Sequence, residues 1–251
     1  MTKLKVNYKK GKGQSDEYIL VFFTGNKNKI KEIETILGDK YPFLSVDIDA
    51  EEVQAVSVEK VAKMKLKTSY DMLKELIDND KLMIDDIGSI SLSNKKLIMA
   101  VEDTGLGFEG LGSFNEKEYG SNFFPGALIK FYYKSLGPSE EANKKITKTI
   151  SGSKAQSITC IGAIKDDEMH SFCGYLDCRV SNEPRGTEGF DFDFILELPN
   201  GKTVGEISND EKNKISPRGQ AVKKMLPFLK DIKIAKLPEK EYGNRILKIK
   251  E

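Results

Sequence analysis

The chain has no tryptophan, a single histidine and only three cysteines among its 251 residues. With one imidazole, His170, any Ser-His-Asp or Cys-His arrangement would have to be built on it, so proton transfer falls to carboxylates. Cys160, Cys173 and Cys178 are odd in number and form no C-x-x-C pair, which argues against a disulfide framework. They and His170 fall in two expected strands, whereas a structural zinc site wants four ligands at tighter spacing. No apolar run approaches the roughly 20 residues of a membrane span. The first twenty residues are basic and lack an apolar signal core, so the expected compartment is the cytosol. Charge of one sign is missing too: 40 Lys and Arg face 39 Asp and Glu, a net +1. Such a balance creates no field that would draw in a nucleic-acid duplex.

What remains is 39% apolar and 31% charged residues, the composition of a globular chain. Residues 1–17 read as a mobile basic arm, and 18–251 as a single domain with 78–96 as a polar insertion. YILVFF at 18–23 is a strand buried on both faces. A helix with Ile30, Ile33 and Leu37 on one face follows and stops at Gly38. A second strand is expected near 44–48, then a helix capped by Ser57 with Val58, Val61, Ala62, Leu66, Leu73 and Leu76 as its stripe. A strand at 97–101 delivers Glu102 and Asp103 at its end, and Pro125 opens a helix closed by Gly137 and Pro138. Residues 139–150 place Ala142, Ile146 and Ile150 on one face. A long hairpin is expected over 157–164 and 169–180, then a strand at 192–198 and a last helix carrying Ala221, Met225 and Leu229. The order is α/β with a mixed sheet, because the hairpin adds an antiparallel portion.

Several stretches carry chemical signals, each with a bland alternative. TGNKNK at 24–29 follows a buried strand and opens a helix, so its N–H groups and lysines suit phosphate; it is otherwise a Gly turn with solvated lysines. Gly105, Gly107 and Gly110 match G-x-G-x-x-G, but Glu102, Asp103 and Thr104 intervene between strand and glycine, unlike a dinucleotide turn. Those two carboxylates stand where α/β sheets bind ligands and suit Mg²⁺, or they are a solvated acidic end. Phe190 and Phe192, near Arg185, either bracket a flat base or fill a core. Lys212 and Arg218 precede the last helix and would meet phosphate or a base carbonyl, or solvent.

In order and spacing, TGNKNKIKEIETILG, VEDTGL, FPGALIKF, PRGTEGFDFD and EKNKISPRGQA resemble the inosine-triphosphate pyrophosphatase family, over most of the chain from Tyr18 to Leu229. The resemblance implies an elongated α/β mixed sheet with two lobes and a central active-site cleft, and a homodimer. It implies Mg²⁺-dependent hydrolysis of a nucleoside triphosphate (inosine, xanthosine or deoxyinosine) to monophosphate and pyrophosphate, with Mn²⁺ as the alternative metal. By motif, Thr24, Gly25, Asn26 and Lys29 would hold phosphates, and Glu52 and Asp103 the metal. Asp103 would also position or deprotonate the attacking water, with Glu102 supporting it. Lys60 and Lys130 would neutralise the triphosphate, with Thr104 bonding nearby. Phe190, Asp191, Phe192, Asp193, Lys212, Ser216, Pro217 and Arg218 would surround the base. Two departures stand in that pocket. Pro217 replaces the family's histidine and removes a side-chain hydrogen bond, and Asp191 replaces a glycine. They imply intact pyrophosphate chemistry with altered base selectivity. The alternatives are a Maf-like pyrophosphatase of other nucleotides and a non-catalytic nucleotide-binding protein.

Overall fold

A continuous apolar run can be a strand only where both faces are covered, and the architecture supplies both covers. A computed structural model describes residues 17–47, 53–78, 96–114 and 123–235, with the backbone alone of short strands at 3–5, 83–85 and 246–248. The strands are β1 (Lys3–Lys5), β2 (Glu17–Phe23), β3 (Phe43–Asp47), β4 (Met83–Asp85), β5 (Lys96–Phe108), β6 (Pro125–Gly126), β7 (Lys154–Lys165), β8 (Glu168–Val180), β9 (Leu196–Glu197), β10 (Lys233–Ile234) and β11 (Ile246–Lys248). The helices are α1 (Lys27–Leu37), α2 (Val58–Asp78), α3 (Ile129–Leu136), α4 (Ser139–Ile150), α5 (Asn209–Ile215) and α6 (Pro217–Met225).

The main sheet runs β11-β3-β2-β5-β7-β8-β9. β3, β2 and β5 are parallel, and β5, β7, β8 and β9 are antiparallel, so the sheet is mixed as the hairpin foretold. On one face Val58, Ala62, Leu66 and Leu73 of α2 pack against Ile19, Val21, Met99 and Val101. On the other, Ile33 and Leu37 of α1 and Ala221, Val222 and Met225 of α6 cover Leu20, Phe22, Ile98 and Ala100. The side chain of Leu76 lies outside the described residues. A third apolar cluster joins α3 and α4 to the far ends of β5, β7 and β8.

Of the arm and the insertion, the described parts that meet are three residues of each: β1 pairs antiparallel with β4. The rest of both, apart from Glu17, Asp78 and Lys96 at their edges, lies outside the described residues. No described helix is long and apolar enough to cross a membrane.

Four local readings are corrected. β5 does not stop at Val101 but runs on to Phe108, so Glu102 and Asp103 sit inside a strand rather than at its end. Gly105 and Gly107 are strand residues because another chain segment presses on them. A Cβ at Gly105 would strike Val58 and the backbone of Gly126, and one at Gly107 the carbonyl oxygen of Phe123. Pro125 belongs to the two-residue β6 beside those glycines, and the helix begins four residues later, at Ile129. Asp191–Phe194 is a 3₁₀ turn, not a strand, because Asp191 takes φ +51° and the Asp193 carboxylate accepts the Phe190 N–H at 2.9 Å. Finally, Cys160 and Cys173 are direct cross-strand partners, Cα atoms 4.1 Å apart, and form a disulfide; spacing along the chain gave no hint of that register.

Candidate active site

A cavity of about 1290 Å³ opens above the parallel-to-antiparallel junction of the sheet. It contains Thr24, Gly25, Asn26 and Lys29 on one wall, Glu102, Asp103 and Thr104 on β5, Lys130 on α3, and Phe190, Asp191, Phe192, Lys212, Ser216, Pro217 and Arg218. Most of the positions drawn from separate motifs therefore share one space.

The start of α1 is ordered by its own side chains. Asn26 caps it, its side-chain oxygen accepting the N–H groups of Asn28 and Lys29 at 3.0 and 3.2 Å, and Thr24 Oγ1 accepts the Asn26 N–H. The positive end of the helix dipole thus faces the cavity with Lys29 beside it.

Glu102 is 3% exposed and is held from three sides. Arg218 donates from Nε at 2.6 Å and from a terminal nitrogen at 3.1 Å, Lys29 Nζ lies at 3.1 Å, and the Thr104 hydroxyl donates at 3.0 Å. Burial pushes its pKa up, but the Arg218 and Lys29 cations outweigh that and hold the carboxyl well below the usual range. A group so engaged is a poor metal ligand and a poor proton acceptor. Asp103, next to it, projects to the opposite face of the strand and is half-buried in the cavity wall.

Glu32 on α1 was not foreseen. It accepts from Arg218 and, at 3.2 Å, from Lys212, which also pairs with Asp193 at 2.7 Å. Burial raises the Asp193 pKa, and Lys212 opposes that shift. The Lys212 ammonium stands 4.4 Å from the Phe190 ring centroid, a cation–π contact. Ser216 ends α5 and caps α6 by accepting the Gly219 N–H at 3.0 Å. Pro217 takes the first helical position, where a missing N–H costs no hydrogen bond. Phe192 lines the cavity and also packs edge-on against Tyr133 at the third apolar cluster.

Some expected members are elsewhere. Lys60 is exposed in the first turn of α2 and does not line the cavity; Val61, Lys65 and Ser69 do, at the i, i+4, i+8 spacing of one helix face. That spacing was the available signal for Lys65 and Ser69. Asp47, at the end of β3, also lines the wall. Glu52 lies outside the described residues, though the following Val53, Gln54 and Ala55 border the cavity. Arg185 is spent on Glu197 and Glu206, away from the cavity. Cys178 is buried, and burial with nearby Asp177 and Asp193 pushes its thiol up to about 12.

Among the described residues no cluster of three or more His, Cys, Asp or Glu could cage a metal. The donor chemistry fits a hard cation nonetheless. Mg²⁺ is held by one or two carboxylates together with substrate phosphates, and the Asp103 carboxylate lines the same cavity as the start of α1.

The sequence profile of the Ham1 family matches residues 20–228. The chain belongs to the Ham1 family. It is 29% identical over 218 residues to a protein of Schizosaccharomyces pombe named inosine triphosphate pyrophosphatase, covering 85% of this chain and 96% of that one. It is 31% identical over 214 residues to a Methanosarcina mazei protein named dITP/XTP pyrophosphatase, covering 83% and 96%. The solved Ham1 protein of Coxiella burnetii superposes with a TM-score of 0.62 at 21% identity, covering 85% of this chain and 98% of that one. The Ham1 fold is therefore shared, including the mixed sheet.

Proposed function

We propose that this Ham1-family chain is a Mg²⁺-dependent nucleoside triphosphate pyrophosphatase. It hydrolyses non-standard purine nucleotides such as ITP, XTP and dITP to the monophosphate and pyrophosphate. The observation that carries this reading is that the capped helix start with Lys29, the Asp103 carboxylate and the Phe190 and Pro217 segments all line one cavity.

In this reading the triphosphate lies at the positive end of the α1 dipole, with Lys29, Lys65 and Lys130 facing its charge, and the base lies against Phe190. Lys60, exposed on α2 outside the cavity, is replaced in this role by Lys65. Asp103 accepts a hydrogen bond from the attacking water and takes up its proton as the water oxygen bonds to the α-phosphorus, the bond from that phosphorus to the α–β bridging oxygen breaks and pyrophosphate leaves. Glu102 holds Lys29 and Arg218 in place rather than moving a proton, since it stays ionised. Asp103, with Glu52, would hold the metal; when bound, it neutralises charge growing on the phosphoryl oxygens. The protein acts as a homodimer in the cytosol in this proposal, and sedimentation checks the first point.

Product analysis tests the reading. Purified protein with Mg²⁺ should convert ITP into equal amounts of IMP and pyrophosphate. Asp103→Asn should lose roughly 10²-fold to 10⁴-fold in rate, the span of general-base catalysis, while still binding nucleotide. Nucleotide binding without turnover in the wild type would favour the non-catalytic alternative instead.

A further inference from the structure

Ser69, in the middle of α2, is 1% exposed, and its hydroxyl has no hydrogen-bond partner among the described residues. A serine or threonine inside a helix commonly settles this by donating to the carbonyl four residues back. Thr68, one position earlier, does so to Met64 at 3.2 Å. Ser69 does not, and a buried hydroxyl left without a partner costs stability. Ser69 also lines the cavity, so a ligand there can supply what the fold withholds.

Its place in the fold says which part of the ligand that is. α2 and α6 cover opposite faces of the sheet. Ser216, Pro217 and Arg218, at the base end, belong to α6 and its cap, whereas Lys65 and Ser69 belong to α2. Along β5, Met99 and Val101 face α2 while Ile98 and Ala100 face α6, so by alternation Asp103 stands on the α2 side and Glu102 on the α6 side. A nucleotide with its base by α6 and its α-phosphorus at Asp103 therefore extends its terminal phosphates along α2. There Lys65 and Ser69 follow one another at i, i+4 on the face that lines the cavity. The next residue of that row, Leu73, is back in the apolar core, so Ser69 is the last residue of α2 at the cavity among those described. Phosphate oxygens only accept, and a serine hydroxyl can donate to one of them.

We propose that Ser69 is a substrate-binding residue whose hydroxyl donates to a terminal phosphate oxygen, so that with Lys65 it grips the part of the nucleotide that leaves as pyrophosphate. This deepens the pyrophosphatase reading and rests on it for the substrate, but binding measured without turnover keeps the two separable.

The test measures Kd for ITP, IMP and inorganic pyrophosphate by titration calorimetry in the Asp103→Asn background, with and without Ser69→Ala. Ser69→Ala should weaken ITP and pyrophosphate by about tenfold, the scale of one hydrogen bond to a charged group, and leave IMP within twofold. Without ligand the variant should melt at or above its parent, because alanine removes an unpartnered hydroxyl and favours the helix. Kd values for ITP and pyrophosphate that stay within twofold overturn the proposal, since the hydroxyl then meets only water. An equal loss for IMP, or a ligand-free Tm that falls by several degrees, overturns it too, because Ser69 would then be holding the fold rather than the phosphates. Selective loss of pyrophosphate affinity in a protein whose wild type hydrolyses no nucleotide would support the inference and defeat the pyrophosphatase reading. Hydrolysis of ITP by the wild type with unmoved affinities in the variant would defeat the inference alone.

Discussion

Replacing Glu102 by Gln keeps the shape of the side chain and removes the charge that Arg218 and Lys29 share. The carboxylate makes two hydrogen bonds to Arg218, an ion pair to Lys29 and a bond from Thr104, all in a setting with 1% side-chain exposure. Breaking a buried pair by removing one partner costs about 3–5 kcal/mol. For a chain of this size each kcal/mol shifts Tm by about 2–4 °C, so Glu102→Gln should melt roughly 6–20 °C lower at neutral pH. The pH dependence follows from the direction of the shift. The folded-state pKa of Glu102 lies below the ordinary 4.5, so its stabilisation is complete above that pH. It is lost as pH falls from 4.5 toward the folded pKa, by at most about 1.4 kcal/mol per pH unit. The Tm gap between wild type and variant should therefore be constant from pH 7 to 5.5 and narrow below 4.5. Circular dichroism melts across that range are the assay. A variant melting within about 2 °C of wild type at pH 7, or a gap unchanged at pH 3.5, would refute the network as described.

Gly107→Ala places a methyl on the Phe123 carbonyl oxygen and should destabilise by about 1–3 kcal/mol, read as a lower urea midpoint; an unchanged midpoint would mean that the strand glycines are not there for close approach. Thiol titration of denatured protein should find one reactive thiol, Cys178, without reductant and three with it. Three thiols without reductant would contradict the β7–β8 cross-link.

The apolar patterns disclosed the elements whose packing is periodic. α1, α2, α4 and the β7–β8 hairpin follow directly from stripes and runs that single faces of the sheet require. What was illegible depends on contacts distant in sequence. VEDTGLGFEGLG looks like a loop because its glycines lack side chains, yet its first eight residues are strand, and Val58, Phe123 and Gly126 leave no room for a Cβ at Gly105 and Gly107. Asp191–Phe194 looks like a strand by its alternating aromatics, but Asp193 turns back to the Phe190 N–H and curls it. The cavity was legible as motifs, whereas the charge network was not. Nothing local marks Glu32 as the partner of residues 180 and 186 positions away. The Cys160–Cys173 pairing, likewise, is visible only once the hairpin register is known.

The account turns on a water activated beside Asp103 attacking the α-phosphorus. Hydrolysis of ITP in ¹⁸O-labelled water, followed by mass spectrometry of both products, tests it most directly. The label should appear in the monophosphate and be absent from pyrophosphate. Label in pyrophosphate, or release of inorganic phosphate and a nucleoside diphosphate, would contradict it.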